Sequence, residues 1–200
     1  MAVVFNSEGS SPYDKLIEEN IANRILVIND EIDDRVIDNY ILYILKWNRD
    51  DEDIPVKKRQ RIKLYFNSPG GDTIVAGYFC SVIEQSETPI IGVAFSLVAS
   101  SAYHIYIACR ERYAFANSIF LQHECELEIA NSTSKFKNTM DFFNTMDDRF
   151  KQNVMDHTDM SEEYYDEVLT DELWFYADQA KELGVVDKII GEDCKISEIL

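Results

Sequence analysis

The sequence predicts an α/β domain whose mainly parallel sheet is covered by helices. Short apolar runs that are typical of buried strands alternate along the chain with stretches of helical periodicity. Hydrophobic residues make up 46% and aromatic residues 12% of the 200 residues, enough for a substantial core. Strand–helix alternation favours parallel pairing with right-handed crossovers. We expect a single domain over residues 1–200, with a flexible N-terminal segment at 1–12.

The first elements are predicted from the spacing of apolar residues. A short helix is expected over residues 13–23, followed by a buried strand over 24–29 with the sequence RILVIN. Asp33 and Asp34 are candidate N-caps of a second helix, which places its apolar residues on one stripe as far as Trp47.

The middle of the chain contains the sharpest turn signal. The charged stretch 48–61 is predicted to be a solvated connection, and the run IKLYF at 62–66 a strand. Residues 67–71, Asn-Ser-Pro-Gly-Gly, then form a hard turn. A helix over 73–85 and a strand over 90–95 follow.

The remaining elements are predicted in the same way. We expect a helix over 100–109, extended segments at 113–115 and 119–122, and a short helix followed by a strand within 174–190. Between them lies a long amphipathic helix, whose apolar residues recur every three or four positions: Phe136, Met140, Phe143, Met146, Phe150 and Val154.

The charge balance excludes some classes of partner. With 19 Lys and Arg against 37 Asp and Glu, the net charge is −18. Phosphate backbones and anionic membrane surfaces would repel such a chain, so we expect no nucleic-acid or membrane binding. The uncharged stretch 88–109 contains a proline and several hydroxyl side chains, which favours a strand followed by a buried helix over a membrane span.

The cysteines and the chain start indicate a compartment. The four cysteines are irregularly spaced and form no CxxC, so neither a zinc site nor a redox pair is expected. The first residues lack the basic segment and apolar run of a signal peptide. A reducing cytoplasm is therefore the simplest location.

Gly70 and Gly71 are candidates for holding a ligand against the backbone. They link a predicted strand to a predicted helix, and glycine lets the chain turn sharply and bring a bare N–H close to a ligand. An amide at such a place suits a developing oxyanion. A plain turn is the alternative interpretation.

A serine and a histidine are candidate nucleophile and base. Ser100 lies where an apolar strand gives way to an apolar helix, with helix capping as the alternative role and Ser96 and Ser101 as neighbouring rivals. His123 ends an apolar strand, where an imidazole can activate a serine or simply bond a backbone carbonyl. We do not expect His104 to pair with Ser100, because we expect no groove beside them.

An acid is needed to orient the histidine. Asp171 and Glu172 precede the apolar run LWFY and are the candidates. A solvated helix start is the alternative for both, because acids are common there.

Together these motifs resemble the Clp protease proteolytic subunit family (ClpP), serine peptidases of the ClpP/crotonase fold. The similarity runs from about Leu16 to Gly191. Residues 64–71, LYFNSPGG, resemble the family's YINSPGG, and the RYA, NS and His123 positions keep its RYAxPNSxxxxH spacing. Residues 177–187, ADQAKELGVVD, resemble its closing AxEAxxxGLxD.

The resemblance implies a catalytic triad. SLVASSAY aligns with the family's GMAASMGA and makes Ser100 the nucleophile, whereas an alignment on Ser96 spoils the spacing to both neighbouring motifs. His123 is then the base. The acid is Glu172 when counted back from the closing motif without gaps, and Asp171 when shifted by one residue.

The resemblance also implies binding residues and partners. Gly71 and Ser101 would supply oxyanion-hole amides, and a peptide would lie extended along Gly70, Glu124 and Cys125. The family implies unfolded-protein or peptide substrates, no cofactor and no metal. It also implies heptameric or stacked rings with an AAA+ unfoldase partner, in which the long helix at 131–158 forms the handle region.

Several departures keep other functions open. The family's Gln-Pro after the histidine is Glu124-Cys125 here, its glycine-rich strand is replaced by residues 126–131, ELEIAN, and the arginine beside its acid is missing. A catalytically weak or inactive ring subunit is therefore the second hypothesis. A third is an acyl-CoA enzyme of the crotonase-like superfamily, which also uses paired amide donors.

Overall fold

A seven-stranded sheet forms the centre of the molecule. The structure, a computed structural model, describes residues 11–126 and 132–199. The strands are β1 Ile25–Ile28, β2 Ile62–Ser68, β3 Ile90–Ala99, β4 Glu111–Phe115, β5 Ile119–Gln122, β6 Leu173–Tyr176 and β7 Lys188–Ile190. Strands β1-β2-β3-β4-β7 lie side by side and are parallel, β5 pairs in parallel with the far end of β3, and β6 is antiparallel to β5. The predicted α/β class with a mainly parallel sheet is confirmed.

Helices follow most of the strands and cover the sheet. A π-helical turn at Ile37–Ile41 leads directly into α2. The helices are α1 Pro12–Ala22, α2 Leu42–Asp50, α3 Thr73–Gln85, α4 Ser101–Ile107, α5 Thr133–His157, α6 Glu162–Leu169 and α7 Ala177–Glu182. The segment 1–12 is expected to be flexible, and its residues 1–10 lie outside the described residues. The next residue, Ser11, caps α1, which begins at Pro12.

Most of the uncharged stretch 88–109 is buried. It contains β3 and then α4, every residue of which is buried. Aromatic rings connect α4 to the sheet: Tyr106 lies 5.4 Å from Phe66 and 5.5 Å from Phe120, measured between ring centroids. Across residues 11–126 and 132–199, no helix has the length and apolar character needed to cross a membrane.

Two predictions about local structure are wrong. The run LWFY, expected to begin a helix, is strand β6, because it pairs with the free edge of β5. Four apolar residues are too few for periodicity to separate strand from helix. The stretch 48–61 is also not wholly solvated. Asp51 and Arg59 are buried there, because each charge has a partner: Arg24 for Asp51 and Glu87 for Arg59.

Candidate active site

Ser100 occupies a tight turn between β3 and α4. Its φ of 54° and ψ of −127° are rare for a residue with a side chain. Two backbone hydrogen bonds hold the turn: the Ser100 N–H donates to the Leu121 carbonyl at 3.0 Å, and the Tyr103 N–H to the Ser100 carbonyl at 2.9 Å. The Ser100 side chain makes no capping hydrogen bond to α4. The helix-cap alternative therefore does not explain this serine.

The rival serines lie in different settings. Ser101 is buried inside α4, whereas Ser96 is exposed on β3. In the β3–β5 register, Ala99 pairs with Leu121, two residues before His123. Ser96 lies three residues before Ala99 on β3, so it is well away from the end of β5 that leads into His123. Of the three serines, Ser100 is thus the one at the strand ends beside His123.

Gly70 packs directly against Ser100. A Cβ at Gly70 would lie 2.7 Å from the Ser100 Cβ and 2.7 Å from the Ala99 carbonyl oxygen, and its φ is +95°. The Ser68 hydroxyl accepts from the Gly70 N–H at 3.2 Å and donates to the Asp30 carbonyl at 2.6 Å. Close approach and positive φ both require glycine here.

Two amides are available near the serine. Gly71 forms a parallel bridge with Ile32 that uses the Gly70 carbonyl and the Asp72 amide, both at 2.8 Å, so the bridge leaves the Gly71 N–H unused. Ser101 is the first residue of α4, where helical N–H groups have no partner within the helix. These are the two residues that the sequence predicts as oxyanion donors.

His123 emerges from the strand next to Ser100. It follows β5 directly and is half-buried. Since β3 and β5 are parallel, both residues lie at the carboxyl ends of neighbouring strands, a common position for functional groups. In this single copy, within the part of the chain that the structure describes, Ser100 and His123 share no hydrogen bond.

The sheet register distinguishes the two acid candidates. Gln122 pairs with Leu173 as the last pair of the antiparallel β5–β6 register, so His123 and Glu172 are the residues next to that pair on the two strands. Asp171 lies one residue further from the β5–β6 pair along the chain. The regular register has ended there, because the Glu124 N–H donates to the Leu169 carbonyl at 3.3 Å. Both acids are exposed. The Glu172 Oε2 accepts from the Trp174 indole N–H at 3.1 Å, so its carboxylate does not hold the imidazole in this conformation.

A pocket opens beside His123, and two of the three residues predicted to contact a peptide, Glu124 and Cys125, line it, whereas Gly70 does not. It encloses about 450 Å³. Its lining is His104, Gln122, His123, Glu124, Cys125, Met140, Asn144, Asp147, Asp148, Phe150, Lys151, Tyr165, Asp166 and Leu169, here called the His123 pocket. The expectation of no groove near His104 is therefore wrong: α5 packs over α4 and leaves a cavity that local sequence does not reveal.

The titratable groups of the pocket are shifted by burial. Burial lowers the pKa of His104 to about 4, against a hydrogen bond with Asn153 that raises it and together with the nearby His123, so His104 is neutral near pH 7. Burial and, next, the hydrogen bond to the Asp147 carboxylate together raise the pKa of the Cys125 thiol to about 12. Cys125 is thus a protonated thiol in this wall.

Other features of the described residues do not compete with this site. A larger cavity of about 610 Å³ lies between α3 and α5, but neither Ser100 nor His123 lines it. Over residues 11–126 and 132–199, no three His, Cys, Asp or Glu side chains gather in an arrangement that could hold a metal ion. All four cysteines are free thiols.

The sequence of this chain matches a known protein family. The sequence profile of the Clp protease family, described as "Clp protease", matches residues 8–193. The chain belongs to the Clp protease family. The resemblance seen in its motifs is thereby confirmed.

The relatives of this Clp protease family member are distant. ATP-dependent Clp protease proteolytic subunit 1 of Streptomyces avermitilis is 24% identical over 189 residues, which cover 92% of this chain and 84% of the relative. Proteolytic subunit 2 of Corynebacterium diphtheriae is 24% identical over 186 residues, which cover 92% and 90%. A solved structure of a ClpP1 point mutant from Listeria monocytogenes superimposes with a TM-score of 0.76 at 19% identity, covering 92% of this chain and 99% of that one. This structural match shows the fold.

Proposed function

We propose that this chain is a serine endopeptidase that hydrolyses peptide bonds of peptides or unfolded proteins. The observation that carries the proposal is the position of Ser100. It lies at positive φ in the turn between β3 and α4, and Gly70 packs against it. The neighbouring strand β5 leads directly into His123. A serine on a strained strand-to-helix turn has its hydroxyl directed away from the backbone and open to substrate.

The reaction assigns a role to each group. The Ser100 Oγ attacks the scissile carbonyl carbon while His123 takes the hydroxyl proton. The carbonyl oxygen becomes an oxyanion that accepts from the Gly71 and Ser101 N–H groups. His123 then gives its proton to the leaving amine as the C–N bond breaks, and water hydrolyses the acyl-enzyme by the same steps.

Glu172 is the acid that we propose to orient His123. The support is its position directly before Leu173, the partner of Gln122, whose next residue is His123; its reach to the imidazole requires the carboxylate to leave the Trp174 indole. Asp171 is the alternative at one residue's distance. Either carboxylate would hold the imidazole tautomer that accepts the serine proton.

Assembly belongs to the same proposal. We propose a homo-oligomeric ring, heptameric or in stacked rings, that works with an AAA+ unfoldase. The support is the name of the relatives, which are proteolytic subunits of an ATP-dependent protease.

A second candidate is a catalytically inactive ring subunit. Two observations favour it: Ser100 and His123 share no hydrogen bond among the residues described, and Glu172 is bonded to Trp174 instead. The difference between the two candidates is chemical, so a test of serine reactivity separates them.

The test is the intact mass of the full chain after treatment with a fluorophosphonate. We expect one adduct on the wild type and on Ser96→Ala, and none on Ser100→Ala, because only an activated serine reacts rapidly. Native mass spectrometry of the same samples records the assembly state. Loss of the adduct in Ser96→Ala alone would place the nucleophile four residues earlier, and an unlabelled assembled ring would favour the inactive subunit.

A further inference from the structure

The glycine turn at 69–72 is attached to a segment that the sequence did not connect with the site. Residues 30–32 follow β1 and lie beside this turn. The Ile32 N–H donates to the Gly70 carbonyl, and the Asp72 N–H donates to the Ile32 carbonyl, both at 2.8 Å. These two bonds form the parallel bridge between Ile32 and Gly71. Backbone pairing therefore holds the turn that carries Gly71, the proposed oxyanion donor.

The Ser68 hydroxyl makes a third connection to the same segment. Ser68 ends β2, is 0% exposed, and its Oγ donates to the Asp30 carbonyl at 2.6 Å. The same oxygen accepts from the Gly70 N–H at 3.2 Å. A hydroxyl has one proton to donate and lone pairs that accept, so both functions of this group are used at once. A single buried atom thus links the glycine turn to residue 30.

These bonds decide which amide of the turn remains open. The Gly70 N–H is taken by Ser68 and the Asp72 N–H by Ile32. Pro69 has no N–H to offer. Within residues 11–126 and 132–199, no hydrogen bond occupies the Gly71 N–H. The turn therefore presents one free donor, and its direction depends on the bonds made by the residues on either side.

The same turn contacts the nucleophile and the second donor. A Cβ at Gly70 would lie 2.7 Å from the Ser100 Cβ and 3.0 Å from the Ser101 nitrogen. Donors of an oxyanion hole act at about 2.7–3.1 Å from the developing charge, so a small displacement weakens them. Because Ser68 holds the Gly70 N–H, its hydroxyl helps to set the distance between the Gly71 amide and Ser100.

We propose that Ser68 is a positioning residue of the oxyanion hole. Its hydroxyl fixes the glycine turn against residues 30–32 and so directs the Gly71 N–H at the substrate carbonyl oxygen. The inference rests on the proposed peptidase function, and it adds to that function a buried residue that lies behind the turn and acts through it.

Ser118 is the matched control for a serine that serves stability alone. It is also 0% exposed, and its hydroxyl donates to the Ala94 carbonyl at 2.8 Å. It precedes β5 and so lies at the opposite end of that strand from His123. Ser68→Ala and Ser118→Ala each remove a buried hydroxyl, so both should melt at a lower temperature than the wild type.

The first measurement is the rate at which a fluorophosphonate labels the full chain, followed from pH 5 to 9. We expect Ser68→Ala to be labelled about 10- to 100-fold more slowly than the wild type, because a misplaced donor stabilises the oxyanion less. The midpoint pH of the rate should stay unchanged, since the base His123 is intact. Ser118→Ala should be labelled like the wild type.

The second measurement reports on the turn without catalysis. Hydrogen exchange of the full chain, read on peptides that span residues 66–75, should be faster in Ser68→Ala than in the wild type or Ser118→Ala. Ser68→Cys is nearly isosteric and bonds weakly, so it should show the same changes to a smaller degree. This variant replaces Ser68→Ala if the alanine protein does not melt cooperatively.

The outcomes separate the positioning role from the peptidase. Equal labelling rates in the wild type and Ser68→Ala, an equal slowing in Ser118→Ala, or a shifted midpoint pH in Ser68→Ala overturns the positioning role and leaves the peptidase intact. Faster exchange at 66–75 without any adduct on the wild type upholds Ser68 as the attachment of the turn and overturns the peptidase. Slow labelling together with faster exchange, both specific to Ser68, upholds both.

Discussion

At the scale of single residues, the site depends on backbone geometry more than on side-chain hydrogen bonds. The hydrogen bonds of its own N–H and carbonyl hold Ser100 at positive φ, and the backbone of Gly70 packs directly against it. A conformation of this kind costs about 1–3 kcal/mol and persists only where its surroundings impose it. The strain is consistent with a residue that must expose its hydroxyl at a strand end.

Replacing Gly70 tests this packing. Gly70→Ala should lower the free energy of unfolding by about 2 kcal/mol or more, because a Cβ would clash with Ala99 and Ser100 at a φ of +95°. Fluorophosphonate labelling should be lost with it. Gly77→Ala is the control: it lies inside α3 with no heavy atom nearer than 4.0 Å to the new Cβ, and should stabilise by about 0.5–1 kcal/mol. If urea unfolding showed the same loss of unfolding free energy for Gly70→Ala and Gly77→Ala, the close approach of Gly70 to Ala99 and Ser100 would be contradicted.

His104 should make stability depend on pH. Its pKa is lowered from 6.5 to about 4 by burial. As the pH falls from about 6.5 towards 4, the unfolded chain binds a proton that the folded protein excludes, so the free energy of unfolding decreases. Between pH 7 and 4.5 the wild type should lose about 2 kcal/mol more than His104→Gln in urea unfolding. Equal losses in the wild type and in His104→Gln would show that His104 is not held neutral.

At the scale of secondary-structure elements, buried ion pairs connect segments that are distant in sequence. The Arg24 guanidinium makes two hydrogen bonds to Asp51, at 2.6 and 2.8 Å, and the Thr88 hydroxyl donates to the same carboxylate at 2.9 Å. The hydrogen bond from Arg24 holds the pKa of Asp51 below its usual range. The contact joins the start of β1, the end of α2 and the entry to β3.

Removing this carboxylate should be costly. Asp51→Ala leaves Arg24 partly buried without its partner, so we expect a loss of about 3–5 kcal/mol in urea unfolding. Asp50→Ala is a matched control, because the adjacent Asp50 pairs with Lys46 at the surface and should change stability by less than about 0.5 kcal/mol. A loss below about 1 kcal/mol for Asp51→Ala would show that the network is not a structural connection.

At the scale of the whole molecule, charge and exposed apolar surface act in opposite directions. Several large apolar side chains are exposed in one copy, including Phe95, Phe142, Trp174 and Tyr176. Surfaces of this kind favour association, whereas a net charge of −18 on every copy opposes it. The balance between them should decide how much of the protein is assembled.

Salt should therefore promote assembly. Added salt screens the repulsion between acidic copies, so the assembled fraction should rise between about 20 mM and 300 mM NaCl. Size-exclusion chromatography with light scattering measures the mass at each salt concentration. A decrease in assembly with salt would mean that attraction between opposite charges dominates the contact, and a monomer at every concentration would refute the proposed ring.

The sequence alone determined the alternation of strands and helices, the glycine turn at 70–71 and the pairing of Ser100 with His123 as candidates, because these features depend on local spacing and residue type. Only the tertiary structure decided that LWFY is a strand paired with β5, and that Asp147 and Asp148 of α5 line one pocket with Gln122. Those contacts join segments far apart along the chain, and whether they form depends on how complete elements pack, which local periodicity does not encode.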